Sequence, residues 1–333
     1  MKKKNQITRR QMIGCSGSLA LGTFMAGKGY GQDKSGKAKI VISLDLEMSR
    51  EFPTRDQMHW DYEKGNLDEP TKRYAVEAAR LVKNGGGLVH FFALGRTMEQ
   101  PDVSWLKGIM DDGHVVGNHS YDHIYLLAKS VEELQFRFKR APWLLEGRSV
   151  AQEIERNIVI AEKAFKSRLD LLRPDGFRTP GGFQTGLHGR EDLQQMLLKM
   201  GYTYVSSVYP AHANTKPGVR PDEAVFQSIV ESQAKAQPFK YPTGLIEIPM
   251  SPISDIGAFR NGRWPLEDFM EAVRRGMEAV IEMGGVYDFL AHPSCLVVSD
   301  PEMKTLKMIL KIVEQNKAKA SIVTLGKIAN SKQ

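Results

Sequence analysis

Cysteine is nearly missing from the 333-residue sequence, which holds only Cys15 and Cys295. No disulfide framework can therefore hold the fold, and removal of an N-terminal leader with Cys15 would leave Cys295 without an internal partner. Stability must come from core packing, and 41% hydrophobic residues suffice for one large α/β barrel or two smaller domains. Excess charge of one sign is also missing from most of the chain. The formal net charge is +7, but the first 32 residues hold Lys2, Lys3, Lys4, Arg9, Arg10 and Lys28 and no acid, leaving 40 basic against 39 acidic residues. The basicity belongs to the N-terminus, and no nucleic-acid partner is expected. Repeats and low-complexity linkers are lacking as well, which favours a single domain over residues 33–333.

A long apolar run is the last absence. Residues 11–27 carry no charge but are interrupted by Gly14, Gly17 and Gly22, and they fall short of the roughly 20 residues that span a bilayer. A charged start, an uncharged stretch and a small, polar end describe an export signal peptide over residues 1–32. Thr8-Arg9-Arg10-Gln11-Met12-Ile13 resembles the twin-arginine signal, with Met and Ile where that pattern carries Phe and Leu. Cys15 lies too close to the arginine pair for a lipoprotein leader. The expectation is an exported protein, periplasmic or extracellular, with no stable membrane insertion after cleavage.

What is present is an alternation. Short β-rich runs at 40–44, 88–94, 115–118, 176–178, 204–208, 245–249, 287–291 and 321–324 are separated by segments of helical period at 68–84, 150–165, 192–200, 266–283 and 301–315. This pattern argues for parallel strands joined by crossover helices. Two stretches break it, residues 50–69 and 210–243, the second with five prolines and few apolar residues; loops of this length in a compact domain are usually functional or disordered. The first contains Phe52, His59, Trp60 and Tyr62, which could wall a sugar ring or simply pack the loop onto the barrel.

The polar residues that draw notice fall just after successive strands, where a parallel barrel gathers its active site. Asp45 and Glu47 follow the first run, His119 and His123 the third, Arg178 the fourth, and His292 the seventh. One helical turn would place His119 and His123 on one face, as a shared metal requires. Asp45-Leu46-Glu47 supplies two carboxylates on one side of an extended chain for a divalent ion. A carboxylate with two histidines leaves positions open for water and substrate, the arrangement of a catalytic site. Singly, each feature is more often a solvated charge, a surface ion pair or a turn; their joint order turns the odds. His59, His90, His114, His188 and His212 have no such support and read as structural or loop residues.

Five segments together resemble the motifs of the polysaccharide deacetylase family, also known as the NodB-homology domain or carbohydrate esterase family 4. Ser43-Leu44-Asp45-Leu46-Glu47 is similar to the first motif and Asn118-His119-Ser120-Tyr121-Asp122-His123 closely resembles the second, H-[ST]-x-x-H. Phe177-Arg178-Thr179-Pro180-Gly181-Gly182 resembles the third. Residues 201–207 with Ile246-Glu247-Ile248-Pro249 are similar to the fourth-motif region of a subgroup with a D-x-E first motif, and Phe289-Leu290-Ala291-His292-Pro293 to the fifth.

The resemblance implies a distorted (β/α) barrel of about seven parallel strands and one divalent ion, commonly zinc. It also implies hydrolysis of an N-acyl amide on a cell-wall or extracellular polysaccharide or amino sugar. Carried over by position, Asp45 would be the general base, with Arg178 orienting it. Glu47, His119 and His123 would be the metal ligands, His292 the general acid, and Gly181 N–H an oxyanion donor. The chain departs from the pattern twice. Leu46 replaces the second of two adjacent aspartates, so either Asp45 or Glu47 is open as the carboxylate ligand. Val205 stands where an aspartate usually holds the acid histidine, leaving Asp255 or Asp288 as substitutes; without one, His292 should have a lowered pKa. Two other readings compete: a ring-amide hydrolase of the allantoinase type on the same fold, and a catalytically silent glycan-binding domain.

Overall fold

The nine residues Ala38–Leu46 form the central strand β1, and all but Lys39 are buried. In this computed structural model residues 36–49 and 63–332 are described. The expected leader with its twin-arginine-like run, and Trp60 and Tyr62, lie outside them. Along β1 the side chains alternate as a pleated strand requires. Ile40, Ile42, Leu44 and Leu46 join the large core that α1 (Glu69–Asn84), α6 (Leu266–Met283) and α8 (Lys304–Gln315) cover. Val41 turns the other way, into a smaller cluster with Phe92, Tyr204 and Ile248, closed by Leu325 and Ile328 of α9 (Leu325–Asn330). Ser43 and Asp45 follow Val41 at the same period of two. The inward face of one strand thus runs from an apolar floor to a polar mouth.

The other strands are β2 (Val89–Ala93), β3 (Val115–Asn118), β4 (Phe177–Phe183), β5 (Tyr204–Val208), β6 (Phe239–Lys240), β7 (Ile246–Glu247), β8 (Val286–Ala291) and β9 (Ala320–Ile322). The sheet order is β6-β7-β5-β4-β3-β2-β1-β8, with β9 paired to β1. All pairings are parallel except the short β6–β7 hairpin. Beyond β7 the chain continues to Ser251, whose N–H donates to Asp288 O of β8 at 2.9 Å, so the two ends of the curled sheet meet. The expected distorted (β/α) barrel is present, with eight parallel strands where about seven were anticipated.

The longer helices are α1, α2 (Ser104–Asp111), α3 (Val150–Leu169), α4 (Glu191–Lys199), α5 (Glu223–Lys235), α6, α7 (Pro293–Ser299), α8 and the C-terminal α9, and two short helices lie at Val131–Leu134 and Phe136–Arg140. Local chemistry explains their ends. Asp68 caps α1 by accepting Thr71 N–H at 3.0 Å, with Pro70 in the first turn where its missing N–H is not needed. Ser149 and Gln152 form a reciprocal capping box on α3. The sequence reading differs from the structure at α5, which lies within the stretch expected to be a loop. Asp222 caps it, and Val225, Phe226 and Ile229 make a buried stripe. The prolines that signalled a loop, Pro221 and Pro238, only flank the helix. It is held to α6 by Arg275, which bonds Glu223 at 2.6 Å and covers the Phe226 ring at 4.7 Å. The helix expected over 301–315 is present as α8, which starts at Lys304 after Met303 in a left-handed conformation, and α7 precedes it where no helix was expected.

Candidate metal and active site

A pocket of about 590 Å³ opens at the carboxyl ends of the strands, lined among others by Asp45, Glu47, His119, His123, Gly181 and His292. Arg178 lies beneath it, fully buried inside the barrel. Asp45 is the last inward residue of β1 rather than a loop residue, and Arg178 is the second residue of β4, which runs on to Phe183. The guanidinium reaches across the barrel. One terminal nitrogen donates to Asp45 Oδ1 at 3.1 Å and Ser43 Oγ at 2.8 Å; the other donates to Ser206 Oγ at 3.2 Å and to Asp288. Burial disfavours the cation, but Asp288 and Asp45 outweigh it and raise the Arg178 pKa, so its charge is retained. Phe92 of β2 stacks beneath at 4.5 Å. Asp288 is therefore committed to Arg178 and not to His292.

His119 and His123 are not one helical turn apart, because the chain between them is not helical. Ser120 and His123 both take left-handed backbone angles, φ 64° and 58°, which non-glycine residues rarely adopt. The neighbours supply what holds this turn. Asn118 Oδ1 accepts Ser120 N–H at 2.8 Å, and Asn157 Oδ1, from α3, accepts the N–H groups of Tyr121 and Asp122 at 2.9 Å each. Arg96, Arg137 and Asn157 all bond the Asp122 carboxylate below. Strain of this kind collects at functional sites when the surroundings over-determine it. The two imidazoles meet edge to face, 5.1 Å between centroids.

Each ring presents Nε2 to Glu47. His119 Nδ1 lies 3.0 Å from Arg178 O, a contact that calls for a proton on Nδ1 and leaves the Nε2 lone pair facing inward. Glu47 Oε2 is 2.6 Å from His123 Nε2 and 3.6 Å from His119 Nε2. Burial, together with Lys64, lowers the His123 pKa to about 4, so this ring is neutral at ordinary pH. Burial alone would raise the Glu47 pKa; His123 and Lys64 overcome it and hold the carboxyl well below its usual range. The result is a buried carboxylate oxygen, Oε2, without a hydrogen-bond partner, beside two imidazole nitrogens. Among the described residues, Glu47, His119 and His123 form a group whose ligand atoms all lie within 4.8 Å of one another. A buried carboxylate oxygen converging with two imidazole nitrogens fits a divalent ion. Of the two open carboxylates, Glu47 is the one in this group, while Asp45 is engaged by Arg178.

His292 immediately follows β8. Its Nδ1 lies 2.9 Å from Asp255 Oδ1 and its N–H donates to Asp255 Oδ2 at 2.7 Å, which leaves Nε2 pointing into the pocket, 3.7 Å from Glu47 and 4.0 Å from Asp45. Burial acts to lower its pKa, but Asp255 outweighs burial and the net shift is upward. Of the two substitutes left open for the aspartate missing at Val205, Asp255, 50 positions later in the chain, does the orienting, and the lowered pKa expected without an orienter does not arise. Asp255 begins the π-helical segment Ile256–Gly262 and accepts its first N–H at 2.9 Å. Single π-turns are rare and often mark functional sites.

Gly181 lies on the opposite wall with φ 74°, a conformation that favours glycine, and its carbonyl accepts from Thr179 Oγ1 at 2.8 Å. A Cβ there would meet nothing within 4 Å, because that side is the open pocket. Lys64, Ser49 and Arg260 also line the site, and the sequence singled out none of them. His212, read as a loop residue, is on the pocket wall as well. His90 is buried, stacked on Phe92 at 4.5 Å, with its pKa lowered by burial to about 3, a core residue as expected.

The chitooligosaccharide deacetylase of Azorhizobium caulinodans is 30% identical over 80 residues, 24% of this chain and 37% of that protein. The chain therefore aligns with little more than a third of that relative's length. A Mycobacterium smegmatis protein described as a polysaccharide deacetylase superimposes with a TM-score of 0.60 at 15% identity, covering 90% of this chain and 92% of the other. An allantoinase superimposes with a TM-score of 0.59 at 14% identity, covering 96% and 97%. At these identities the two structures establish a common fold. Residues 66–205, which include His119, His123, Arg178 and Gly181, match the family model for polysaccharide deacetylase.

Proposed function

We propose that the protein is an exported, metal-dependent hydrolase that removes an N-acyl group, most simply N-acetyl, from amino-sugar units of a cell-wall or extracellular polysaccharide. The observation that carries this reading is the convergence of three groupings in one pocket. These are the metal-competent set Glu47, His119 and His123, the Asp45–Arg178 pair, and the His292–Asp255 pair. An amide is a weak electrophile with a poor leaving group, and these groupings answer its separate needs. When bound, a zinc-like ion held by the three ligands would polarise the carbonyl and lower the pKa of a bound water toward about 7.

The chain's own residues do the remaining work. Asp45, fixed by Arg178, takes the proton of the attacking water as general base. Gly181 N–H donates to the oxygen on which negative charge develops. His292, kept protonated by Asp255, donates from Nε2 to the departing nitrogen, so the products are a free carboxylate and an amine. Trp60 and Tyr62, outside the described residues, are proposed to contact the sugar. Export rests on the leader alone; among the described residues no helix is long and apolar enough to cross a membrane.

The test is acetate release from N-acetylated chitooligosaccharide and from peptidoglycan fragments, before and after exhaustive chelation. Release that stops on chelation and returns with zinc supports the assignment. No release from either substrate, with opening of a ring amide such as allantoin instead, would replace it.

A further inference from the structure

Lys64 reaches the site from a position that no motif marks. Its backbone is tied to the strand end, since its carbonyl accepts Met48 N–H at 2.9 Å. Its side chain is buried, and the ammonium donates to Glu47 Oε1 at 2.8 Å and to Ser49 Oγ at 3.2 Å. Ser49 Oγ itself donates to the same Oε1. One oxygen of Glu47 is therefore saturated by two donors, while the other carries no hydrogen bond and faces the two histidines. A buried ammonium next to the ligand of a cation is unfavourable twice over, through its own desolvation and through repulsion of the ion. Its presence asks for a role.

We propose that Lys64 is a positioning residue for Glu47: it ties down Oε1 so that Glu47 offers the single oxygen Oε2 to the ion, and it draws negative charge away from that ligand. This rests on the metal-hydrolase reading above. The arrangement sacrifices affinity for a more strongly polarising ion. Two effects of removing Lys64 oppose each other. Loss of orientation would weaken metal binding by about 10- to 100-fold. Loss of the competing cation leaves Glu47 buried and unpaired in the metal-free protein, and binding an ion then relieves a penalty equivalent to about 100-fold or more. With Ser49 still holding Oε1, the charge effect should win.

Zinc affinity by competition with a chromophoric chelator, melting temperature with and without zinc, and kcat for acetate release would be measured for wild type, Lys64→Met and Lys64→Arg. For Lys64→Met the metal-free protein should melt lower, zinc should bind about tenfold more tightly, and kcat should fall about tenfold with little change in KM. Lys64→Arg should stay near wild type. Should Lys64→Met not fold, Lys64→Gln, which keeps a donor and removes the charge, must show the same tightening. Zinc affinity that is unchanged or weaker in the uncharged variant, or an unchanged kcat, would overturn the role of Lys64 while leaving the metal site standing. A wild-type chain that binds no zinc would overturn both.

Discussion

At the scale of single residues the site is built from pairs. His292 is the case with a clear sign. Asp255 raises its pKa above that of a free histidine, and the proposed role needs the protonated ring. Activity should therefore fall as pH rises through that raised value, and Asp255→Asn should move this alkaline limb to lower pH, as a kcat/KM profile would show. The same pair contributes to stability. Its contribution is complete below the ordinary histidine pKa and is lost as pH rises through the raised one, so the melting-temperature gap between wild type and Asp255→Asn should narrow toward alkaline pH. A limb that does not move would show that Asp255 is only a cap for the segment that follows it. The residues proposed to do the chemistry were legible because they fall at strand ends in an order that resembles the family's motifs. Asp255 was legible only as one of two candidate orienters, beside Asp288, and Lys64 not at all, because no spacing ties them to His292 or Glu47; the folded chain brings Asp255 to within 2.9 Å of His292 and Lys64 to within 2.8 Å of Glu47.

At the scale of elements the turn from His119 to His123 matters most. The H-x-x-x-H spacing correctly drew the two rings together for a reason that does not apply here: they meet through two left-handed residues held from α3, not through a helical turn. Asn157→Ala would remove the acceptor of the Tyr121 and Asp122 N–H groups, costing about 1–3 kcal/mol. Because the histidines depend on that turn, zinc affinity should drop by about 10- to 100-fold. Thermal melting and zinc competition on the same variant test both; a stability loss with unchanged affinity would mean that the turn is held without α3. Helix α5 teaches the converse lesson. Five prolines hid a helix whose apolar stripe, Val225, Phe226 and Ile229, was visible at helical spacing, because breaker residues were weighed over periodicity.

At the scale of the whole molecule, the alternation of strand and helix was enough to read the barrel, since parallel strands need crossover helices and period-two burial needs an inside and an outside. The eight β-rich runs of the sequence correspond to the eight parallel strands, with the run at 321–324 as β9, and the count of about seven came from the family resemblance alone. The fold also predicts how metal and stability should couple. With Glu47, His119 and His123 drawn from two segments more than 70 positions apart, an ion would clamp β1 to the turn after β3. Zinc in excess should raise the melting temperature, by an amount equivalent to about 2.7 kcal/mol at 100 times Kd, and His119→Ala should lose that increment. Calorimetry with and without chelator reads it directly.

The central claim is that one ion at Glu47, His119 and His123 serves a base at Asp45. The most direct measurement is a zinc titration of chelator-stripped protein that follows acetate release, carried out on wild type and Asp45→Asn. The account predicts that wild-type activity rises linearly and breaks at one zinc per chain. Asp45→Asn should bind the same single ion and release acetate at least about 10³-fold more slowly. Hydrolysis that survives stripping, or an Asp45→Asn variant that turns over like wild type, would contradict it.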